Sequence, residues 1–296
     1  MRRFASVALT FGLPLLAMPA QAQSDFDAVE IKAEIIAPGV AVLFGEGGNI
    51  GVSYGEDATV IIDDQFASLS PKIEAAVAGL GAAPVKYLVN THWHYDHTGG
   101  NENFGNKGAI IFAHDNVRVR LAAGGIAGSV QTPPASKAAL PVVTYSQGVS
   151  FHLNGDTIDL AYVGGGHTDG DSVVLWAEKN VIHMGDLYFN IAGFPFADIG
   201  SGGNVVKLMA SLDAVIPMID DETRVIPGHG PISNKAELVA YREMIGEAVA
   251  RVEELRSEGS TLEETIAAQP LADLGRNGGF VSPDAFVTAI WHSLED

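Results

Sequence analysis

The sequence predicts a protein of the α/β class. Between Val40 and Val89, short apolar runs alternate with one helical segment, in the order strand, helix, strand. The second half of the chain has further strand-like runs, several of which end beside a glycine and a polar side chain. One apolar run leads directly into a cluster of histidines, so the predicted sheet carries a polar loop at the carboxyl end of a strand.

Residues Met1 to Ala22 are typical of a secretory signal. Arg2 and Arg3 form a basic start, Phe4 to Met18 is apolar but short for a membrane span, and Ala20-Gln21-Ala22 is a small-x-small cleavage site. We therefore expect export to a periplasm. An uncleaved anchor is the alternative, and both the general and the twin-arginine export routes stay open.

The remaining residues, 23–296, are enough for one large domain. They contain no cysteine, which excludes disulfides and thiolate metal ligands. We expect no stable membrane association after cleavage, because no later segment is apolar for long enough. The formal net charge of −19 would repel phosphate backbones and argues against a nucleic-acid substrate, although solubility also explains the acidity.

Three runs bounded by Gly, Asp and Glu predict adjacent strands at Val40–Phe44, Asn49–Tyr54 and Ala58–Ile62. Asp63 and Asp64 follow the third run. A carboxylate at this position could orient a metal-binding histidine, or it could serve a turn.

The next segments complete the first half. A helix is predicted over Ser70–Leu80, with Ser70 as a possible cap and Pro71 in its first turn. Further elements are predicted as strands at Val85–Val89 and Ala109–Phe112 and as a helix at Asp115–Leu121. The segment Ala122–Pro141, rich in Gly, Ala, Ser and Pro, is predicted to be a surface excursion of the kind that often forms a substrate wall.

The histidine cluster lies in the stretch Tyr87 to Gly100. After the apolar run come His92, His94, Asp96 and His97, at the spacing His-x-His-x-Asp-His. Imidazole nitrogens and carboxylate oxygens are the ligands that suit Zn²⁺ and similar ions. A loop whose histidines only satisfy hydrogen bonds is the alternative, and the density of ligand-type residues argues against it.

The second half repeats this plan. Predicted strands are Val149–Leu153 and Asp156–Val163 around an Asn154-Gly155 hairpin turn, Val173–Trp176, Val181–Met184 and Arg224–Ile226. His167, Asp186 and His229 follow three of these runs, each beside glycine. The predicted C-terminal helices are Val205–Ile216, Lys235–Glu258 capped by Asn234, and Leu262–Ala268 starting from Ser260 with Glu263.

Taken together, the motifs resemble those of the metallo-β-lactamase-fold hydrolases. The matching series is Thr91-His92-Trp93-His94-Tyr95-Asp96-His97, Gly166-His167-Thr168, Gly185-Asp186 and Pro227-Gly228-His229-Gly230. The resemblance implies an αββα sandwich of two mixed sheets flanked by helices. It also implies that His92, His94 and His167 bind one zinc ion, that Asp96, His97 and His229 bind a second, and that Asp186 bridges them.

Two cations that share a bridging water lower its pKa towards neutrality, which makes hydrolysis the expected reaction. Asp96 and His229 are our candidate catalytic residues within this set. Iron or manganese could occupy similar nitrogen and oxygen sites in place of zinc.

The substrate is expected to be a small molecule, and β-lactamase-type activity on an amide or ester bond is the first hypothesis. Asp186 stands where a well-known lactamase subclass has cysteine, and Phe189 stands where it has a lysine, leaving Asn190 as the nearest polar candidate. The alternatives are lactonase, thioesterase or phosphodiesterase activity with lactam cleavage secondary, or a non-catalytic metal-binding accessory protein. The sequence leaves the oligomeric state open.

Aromatic residues near the motifs could line an apolar pocket or belong to the core: Trp93, Phe189, Phe194 and Phe196. The remaining histidines lack the spacing of the ligands and are predicted to be structural or surface residues: His114, His152, His183 and His292.

Overall fold

A computed structural model describes residues 26–128, 130–276 and 278–295. The predicted signal segment, residues 1–22, lies outside these described residues. Within them, no helix is both long enough and apolar enough to cross a bilayer.

The chain alternates strands and helices in the first half and ends in helices. In chain order the strands are β1 (Lys32–Ala37), β2 (Val40–Phe44), β3 (Ile50–Ser53), β4 (Thr59–Ile62), β5 (Val85–Asn90), β6 (Ile110–His114), β7 (Gly125–Ala127), β8 (Val130–Thr132), β9 (Val143–Tyr145), β10 (Gly148–Leu153), β11 (Asp156–Tyr162), β12 (Ser172–Trp176), β13 (Val181–His183) and β14 (Arg224–Ile226). The helices are α1 (Ser70–Gly79), α2 (Tyr95–Thr98), α3 (Asn101–Asn106), α4 (Asp115–Ala123), α5 (Val205–Val215), α6 (Lys235–Ser257), α7 (Leu262–Ala267) and α8 (Pro283–Ser293).

Two mixed sheets form the centre of the molecule. The first has the order β1-β2-β3-β4-β5-β6-β9, and the second has the order β10-β11-β12-β13-β14. In the first sheet β4, β5, β6 and β9 run parallel, and in the second β13 and β14 do. The parallel strands therefore bring their carboxyl ends to one edge of each sheet.

The alternation of side chains along each strand builds three apolar layers. Val40 and Val42 of β2 face the second sheet and pack in one cluster with Val174 and Trp176 of β12. Ala41, between the two valines, faces the opposite way, in the cluster of α1. The outer face of the second sheet packs against α5, α6 and α8 in a further cluster. The order helix, sheet, sheet, helix confirms the predicted αββα sandwich.

Most predicted elements are confirmed, with two differences at helix starts. Ser70 does not cap α1, since Leu69 is the N-cap residue and the Ser70 Oγ accepts from Asn103 Nδ2 at 3.0 Å. Helix α7 begins at Leu262 as predicted, but its N-cap is Thr261 in place of Ser260, because Thr261 and Glu264 form the capping box.

The elements β1, α2, α3, β9 and α8 were not predicted from the sequence. Strand β1 has no alternating pattern and lies mostly exposed at the sheet edge. Helix α8 begins at the Ser282 cap with Pro283 in its first turn, a helix-start signal that the sequence does carry.

The glycine-rich excursion at 122–141 contains more order than its composition predicts. Strands β7 and β8 pair as a short antiparallel hairpin, and the Lys137–Ala139 segment forms one turn of 3₁₀ helix. Gly128 lies at the tip of the hairpin with a positive φ of 60°. The hairpin therefore projects from the sandwich as a defined element.

Helix α8 provides a test of the outer layer. Phe286 is fully buried against this layer and stacks on Phe194 with ring centroids 5.0 Å apart. We expect Phe286→Ala to lower the free energy of unfolding by about 3–5 kcal/mol, because it leaves a cavity in a close-packed core. Urea denaturation of the purified protein measures this.

Phe280 is the matched control, because it is a phenylalanine that is 74% exposed. Phe280→Ala should change the free energy of unfolding by no more than about 0.5 kcal/mol. Equal effects of the two substitutions would show that α8 is not part of the core.

Candidate metal centre

The strand ends of both sheets supply the site. The loop with His92, His94, Asp96 and His97 follows β5, and Asp186 and His229 follow the parallel strands β13 and β14. His167 lies in the turn between β11 and β12. The two sheets therefore contribute about equally, and the site forms where their edges meet.

Asn49, just before β3, joins these edges. Its Nδ2 donates to Pro227 O at 2.9 Å and to Gly230 O at 2.8 Å, while its backbone N donates to Gly228 O at 2.7 Å. Its backbone oxygen accepts from His183 Nε2 at 3.0 Å. His183 is thereby a structural residue, as predicted, and the loop of His229 is fixed to the first sheet.

The first group of donors is buried. His92, His94, His167 and Asp186 are buried, and one ligand atom from each lies within 4.8 Å of the others. The Nδ1 of His94 faces the Nε2 of His167 at 2.8 Å. Asp186 Oδ2 lies 3.4 Å from His167 Nε2 and 3.8 Å from His92 Nε2.

The second group adjoins the first through Asp186. Asp96, His97 and His229 form another set with metal-ligand spacing. His229 Nε2 lies 3.3 Å from Asp96 Oδ2 and 3.5 Å from Asp186 Oδ2, and His97 Nε2 lies 3.2 Å from Asp186 Oδ1. The two oxygens of Asp186 thus reach both groups, which suits a bridging position between two cations.

The donor set fits a metal because two of its buried atoms lack a hydrogen bond. His92 Nε2 and Asp186 Oδ1 are buried without a hydrogen-bond partner, and their charged neighbours at 3.2 to 3.8 Å are other members of the donor set. A buried polar atom without a partner costs free energy, and such atoms are uncommon in folded proteins. Glycine allows this packing at two points: a Cβ at Gly48 would collide with the His97 imidazole, and one at Gly228 would collide with Asp186 Oδ1.

Asp63 orients two of the histidines through hydrogen bonds to their Nδ1 side, one direct and one through Thr91. Its Oδ2 accepts from His97 Nδ1 at 2.8 Å and from Thr91 Oγ1 at 2.8 Å, and its Oδ1 accepts from Thr91 N at 2.8 Å. Because the Thr91 hydroxyl donates to Asp63, its oxygen is free to accept from His92 Nδ1, 3.0 Å away. Both imidazoles therefore present Nε2 to the centre, and of the two roles weighed for Asp63 the structure shows the orienting one.

Asp198 plays the same part for His94. Its Oδ2 accepts from His94 Nε2 at 2.9 Å, which leaves Nδ1 to face the centre. The same oxygen accepts from the backbone N of Gly128 at 2.8 Å, so one carboxylate holds both the histidine and the β7–β8 hairpin. His167 is fixed by donation from its Nδ1 to Phe196 O at 2.7 Å. Sequence reasoning missed Asp198, because its loop carries no local motif.

The carboxylates of the second group raise the proton affinity of its histidines. Burial alone lowers the pKa of His229, but the carboxylates of Asp186 and Asp96 outweigh it and raise the pKa to about 9. Burial likewise opposes charge on His97, yet Asp186, Asp96 and Asp63 raise its pKa. Burial raises the pKa of Asp96, but His97 and His229 bring it down to about 2. The carboxylates therefore favour positive charge at this position, whether on a histidine or on a bound cation.

A cavity of about 380 Å³ opens onto this centre. Four of the seven predicted ligands line it: His94, Asp96, Asp186 and His229. Apolar side chains form the remaining walls, and they include Phe189, Phe194 and Phe196 from the predicted aromatic set. Ala127, Gly128 and Val130 of the hairpin also line the cavity, so the excursion forms part of its wall.

Two residues considered in the sequence do not face the cavity. Trp93 is buried in a separate cluster with Val117 and Leu121, so of the two roles weighed for it the structure shows the core one. Asn190 Nδ2 donates to Pro231 O at 3.0 Å and is not part of the cavity wall.

The other histidines have structural contacts, in agreement with their spacing. His114 accepts from Asn116 N at the start of α4, and His152 lies 3.5 Å from Thr157 Oγ1. His292 contacts Glu295.

Residues 44–232 match the family described as the Metallo-beta-lactamase superfamily. A hydroxyacylglutathione hydrolase from Polaromonas sp. (strain JS666 / ATCC BAA-500) is 28% identical over 171 residues, which span 57% of this chain and 57% of that relative. The probable metallo-hydrolase YqgX of Bacillus subtilis (strain 168) is 27% identical over 184 residues, which span 58% of this chain and 83% of that protein.

A solved structure of a metallo-beta-lactamase from Pontibacter korlensis has the same fold. It superposes with a TM-score of 0.62 at 17% identity, covering 73% of this chain and 99% of that one.

The first test concerns Asp198. We expect Asp198→Asn to weaken metal affinity by about 10- to 100-fold, because an amide is a poorer acceptor for the His94 N–H than a carboxylate. Competition with a chromophoric chelator gives the dissociation constant. Asp221→Asn, at an exposed turn, is the control and should leave the constant unchanged. Identical constants for the two variants would contradict the role of Asp198.

The second test concerns the protons that are released when a metal ion binds. Metal ligands must be deprotonated, so metal binding at pH 7.5 should release at least one proton from the histidines with raised pKa values. The apparent affinity should therefore rise with pH up to about 9, the pKa of His229. Calorimetric titrations in buffers of different ionisation enthalpy count the protons. Heats that do not depend on the buffer would contradict the raised pKa values of these histidines.

Proposed function

The chain belongs to the metallo-beta-lactamase superfamily and is a metallo-hydrolase, and we propose that it hydrolyses uncharged carboxylic esters, lactones included, at a dinuclear metal site. The observation that carries this proposal is the cavity. Its floor consists of metal-ligand side chains, and its walls are apolar. Among the described residues that line it there is no lysine and no arginine.

We assign His92, His94 and His167 to one ion and Asp96, His97 and His229 to the other, with Asp186 between them. The support is the spacing of the two groups and the unpaired atoms of His92 and Asp186. Divalent ions bound there would supply a water of lowered pKa and polarisation of the substrate carbonyl.

The protein's own residues determine what enters and how it lies. Asp96 and His229 are the partly exposed members of the ligand set and line the cavity, so they are positioned to orient the substrate and the attacking water. Phe189 stacks on the His229 ring at 5.6 Å, and Phe196 stacks on the His94 ring at 6.0 Å. These rings exclude water beside the polar floor, which strengthens electrostatic interactions there.

The apolar walls of the cavity select against substrates that carry a charged group away from the reacting bond. A buried carboxylate or phosphate on a substrate needs a cationic or hydrogen-bonding partner, and the walls consist of apolar side chains. The formal net charge of −19 adds an unfavourable long-range field. Esters and lactones without a charged group bury no unpaired charge and are not repelled by the negative charge of the protein.

Lactam hydrolysis is the first hypothesis from the sequence, and it stays a prediction. A β-lactam antibiotic carries a carboxylate, but Phe189 occupies the position considered for a lysine and Asn190 donates elsewhere. A glutathione thioester also carries carboxylates away from its reacting bond. We therefore rank lactams and glutathione thioesters below neutral esters for this chain. A phosphodiester carries its charge on the reacting group itself, so the apolar walls do not disfavour it.

One set of assays ranks the candidates. Elemental analysis of the purified protein gives its metal content. The same sample is assayed with p-nitrophenyl butyrate, a γ-lactone, a chromogenic cephalosporin and S-lactoylglutathione. We expect kcat/KM for the neutral ester or lactone to exceed that for both anionic substrates by about tenfold or more, the equivalent of one lost charge-assisted contact. Faster cephalosporin turnover would favour a true β-lactamase, and no turnover of any substrate would favour the accessory protein.

His94 tests whether the metal centre carries the reaction. His94→Ala should reduce kcat/KM by about 10³-fold or more, because ligand loss removes the polarisation supplied by a bound ion. Circular dichroism checks that the variant remains folded. His152→Ala, an exposed histidine outside the site, is the control and should keep full activity. Retained activity in folded His94→Ala protein would rule out this centre as the active site.

A further inference from the structure

Large exposed hydrophobic side chains surround the mouth of the cavity. Tyr95, Val130, Ile191 and Phe280 all line it, and their exposed fractions are 42%, 41%, 42% and 74%. They come from four separate segments: helix α2, the hairpin, the loop after Asp186 and the loop before α8. Single exposed hydrophobics are common on protein surfaces, but convergence of several around one opening is typical of a binding surface.

The mouth is continuous with the metal-facing floor through aromatic contacts. Phe280 meets Phe196 edge to face at 5.5 Å, and Phe196 in turn stacks on His94. On another side Tyr95 contacts Phe66 at 5.6 Å, and Phe66 also lines the cavity. An apolar path therefore leads from the histidine rings to the protein surface.

The size of the cavity determines which part of a ligand lies along this apolar path. About 380 Å³ is near the lower end of the range for small-molecule pockets, roughly 300–1,000 Å³. A pocket of this size holds a small-molecule ligand, so the reacting ester group and the first part of an acyl chain fit inside it. The far end of a longer chain then lies against the exposed side chains at the mouth.

We propose that the mouth, formed by Tyr95, Val130, Ile191 and Phe280, binds the linear apolar chain of an amphiphilic ester or lactone whose carbonyl lies at the metal centre. This inference rests on the proposed function and specifies its substrate class. The surface contributes affinity through burial of methylene groups, and the polar floor contributes the chemistry.

Chain length is the variable that tests the proposal. The metal-loaded protein is assayed with p-nitrophenyl acetate, butyrate, hexanoate, octanoate and decanoate below their aggregation limits. Burial of a methylene group is worth up to about fourfold, and partial burial at the mouth should give roughly twofold per methylene beyond butyrate in kcat/KM. A plateau at butyrate would overturn the proposal.

Two substitutions locate the effect. Phe280→Ser should flatten the dependence of kcat/KM on chain length, because it removes the largest exposed ring at the mouth. Ile35→Ser is the matched control, since Ile35 is 63% exposed on the edge strand β1 and does not line the cavity. The same flattening in both variants would mean that the effect does not come from this surface.

A binding assay separates the inference from the proposed function. The neutral fluorophore N-phenyl-1-naphthylamine is titrated into each protein and then displaced with 2-decanone and 2-butanone. Stronger displacement by the longer ketone, lost in Phe280→Ser, supports the apolar site even if no ester is turned over. Turnover without any dependence on chain length overturns the inference and leaves the proposed function intact. Sedimentation that shows a dimer dissociated by Phe280→Ser would make the mouth an interface between copies and would also overturn it.

Discussion

The hydrogen bonds accepted by the buried carboxylate of Asp63 connect two parts of the site that are distant in the chain, the end of β4 and the loop after β5. They fix the backbone and hydroxyl of Thr91 and the ring of His97, and the Thr91 hydroxyl in turn fixes the ring of His92. A buried carboxylate is stable only when its oxygens are paired, so these contacts also stabilise Asp63 itself. These hydrogen bonds hold the loop after β5 in the conformation that directs its ligand-type side chains towards one point.

Much of this architecture follows from the sequence for simple reasons. The strands of both sheets are short apolar runs between glycines and polar residues. Such runs depend only on neighbouring residues, so they can be recognised from the sequence. The ligands at His92, His94, Asp96 and His97 are close in sequence, so their spacing alone indicates a common target. The start of helix α6 is predicted correctly because its N-cap, Asn234, is a local sequence signal. In the structure the Asn234 side chain accepts a hydrogen bond from Glu237 N.

The parts that could not be predicted depend on contacts between distant segments. Asp198 lies over a hundred residues from His94 in the chain, and no local pattern connects them. Trp93 resembles a pocket residue in sequence because it lies between two histidines, but the backbone turns its side chain into a buried cluster. The mouth of the cavity draws on four segments at once, and only the packing of both sheets brings them together.

The division of the donors between two sheets has a consequence for stability. His92, His94, Asp96 and His97 belong to the first sheet, whereas His167, Asp186 and His229 belong to the second. An ion held by both sets would act as a clamp across the sandwich, and its binding free energy would add to the free energy of folding by linkage. The resistance of the protein to heat and proteolysis would then rise with the concentration of the metal ion around it. Where the ion is scarce, the protein would unfold and be degraded more readily.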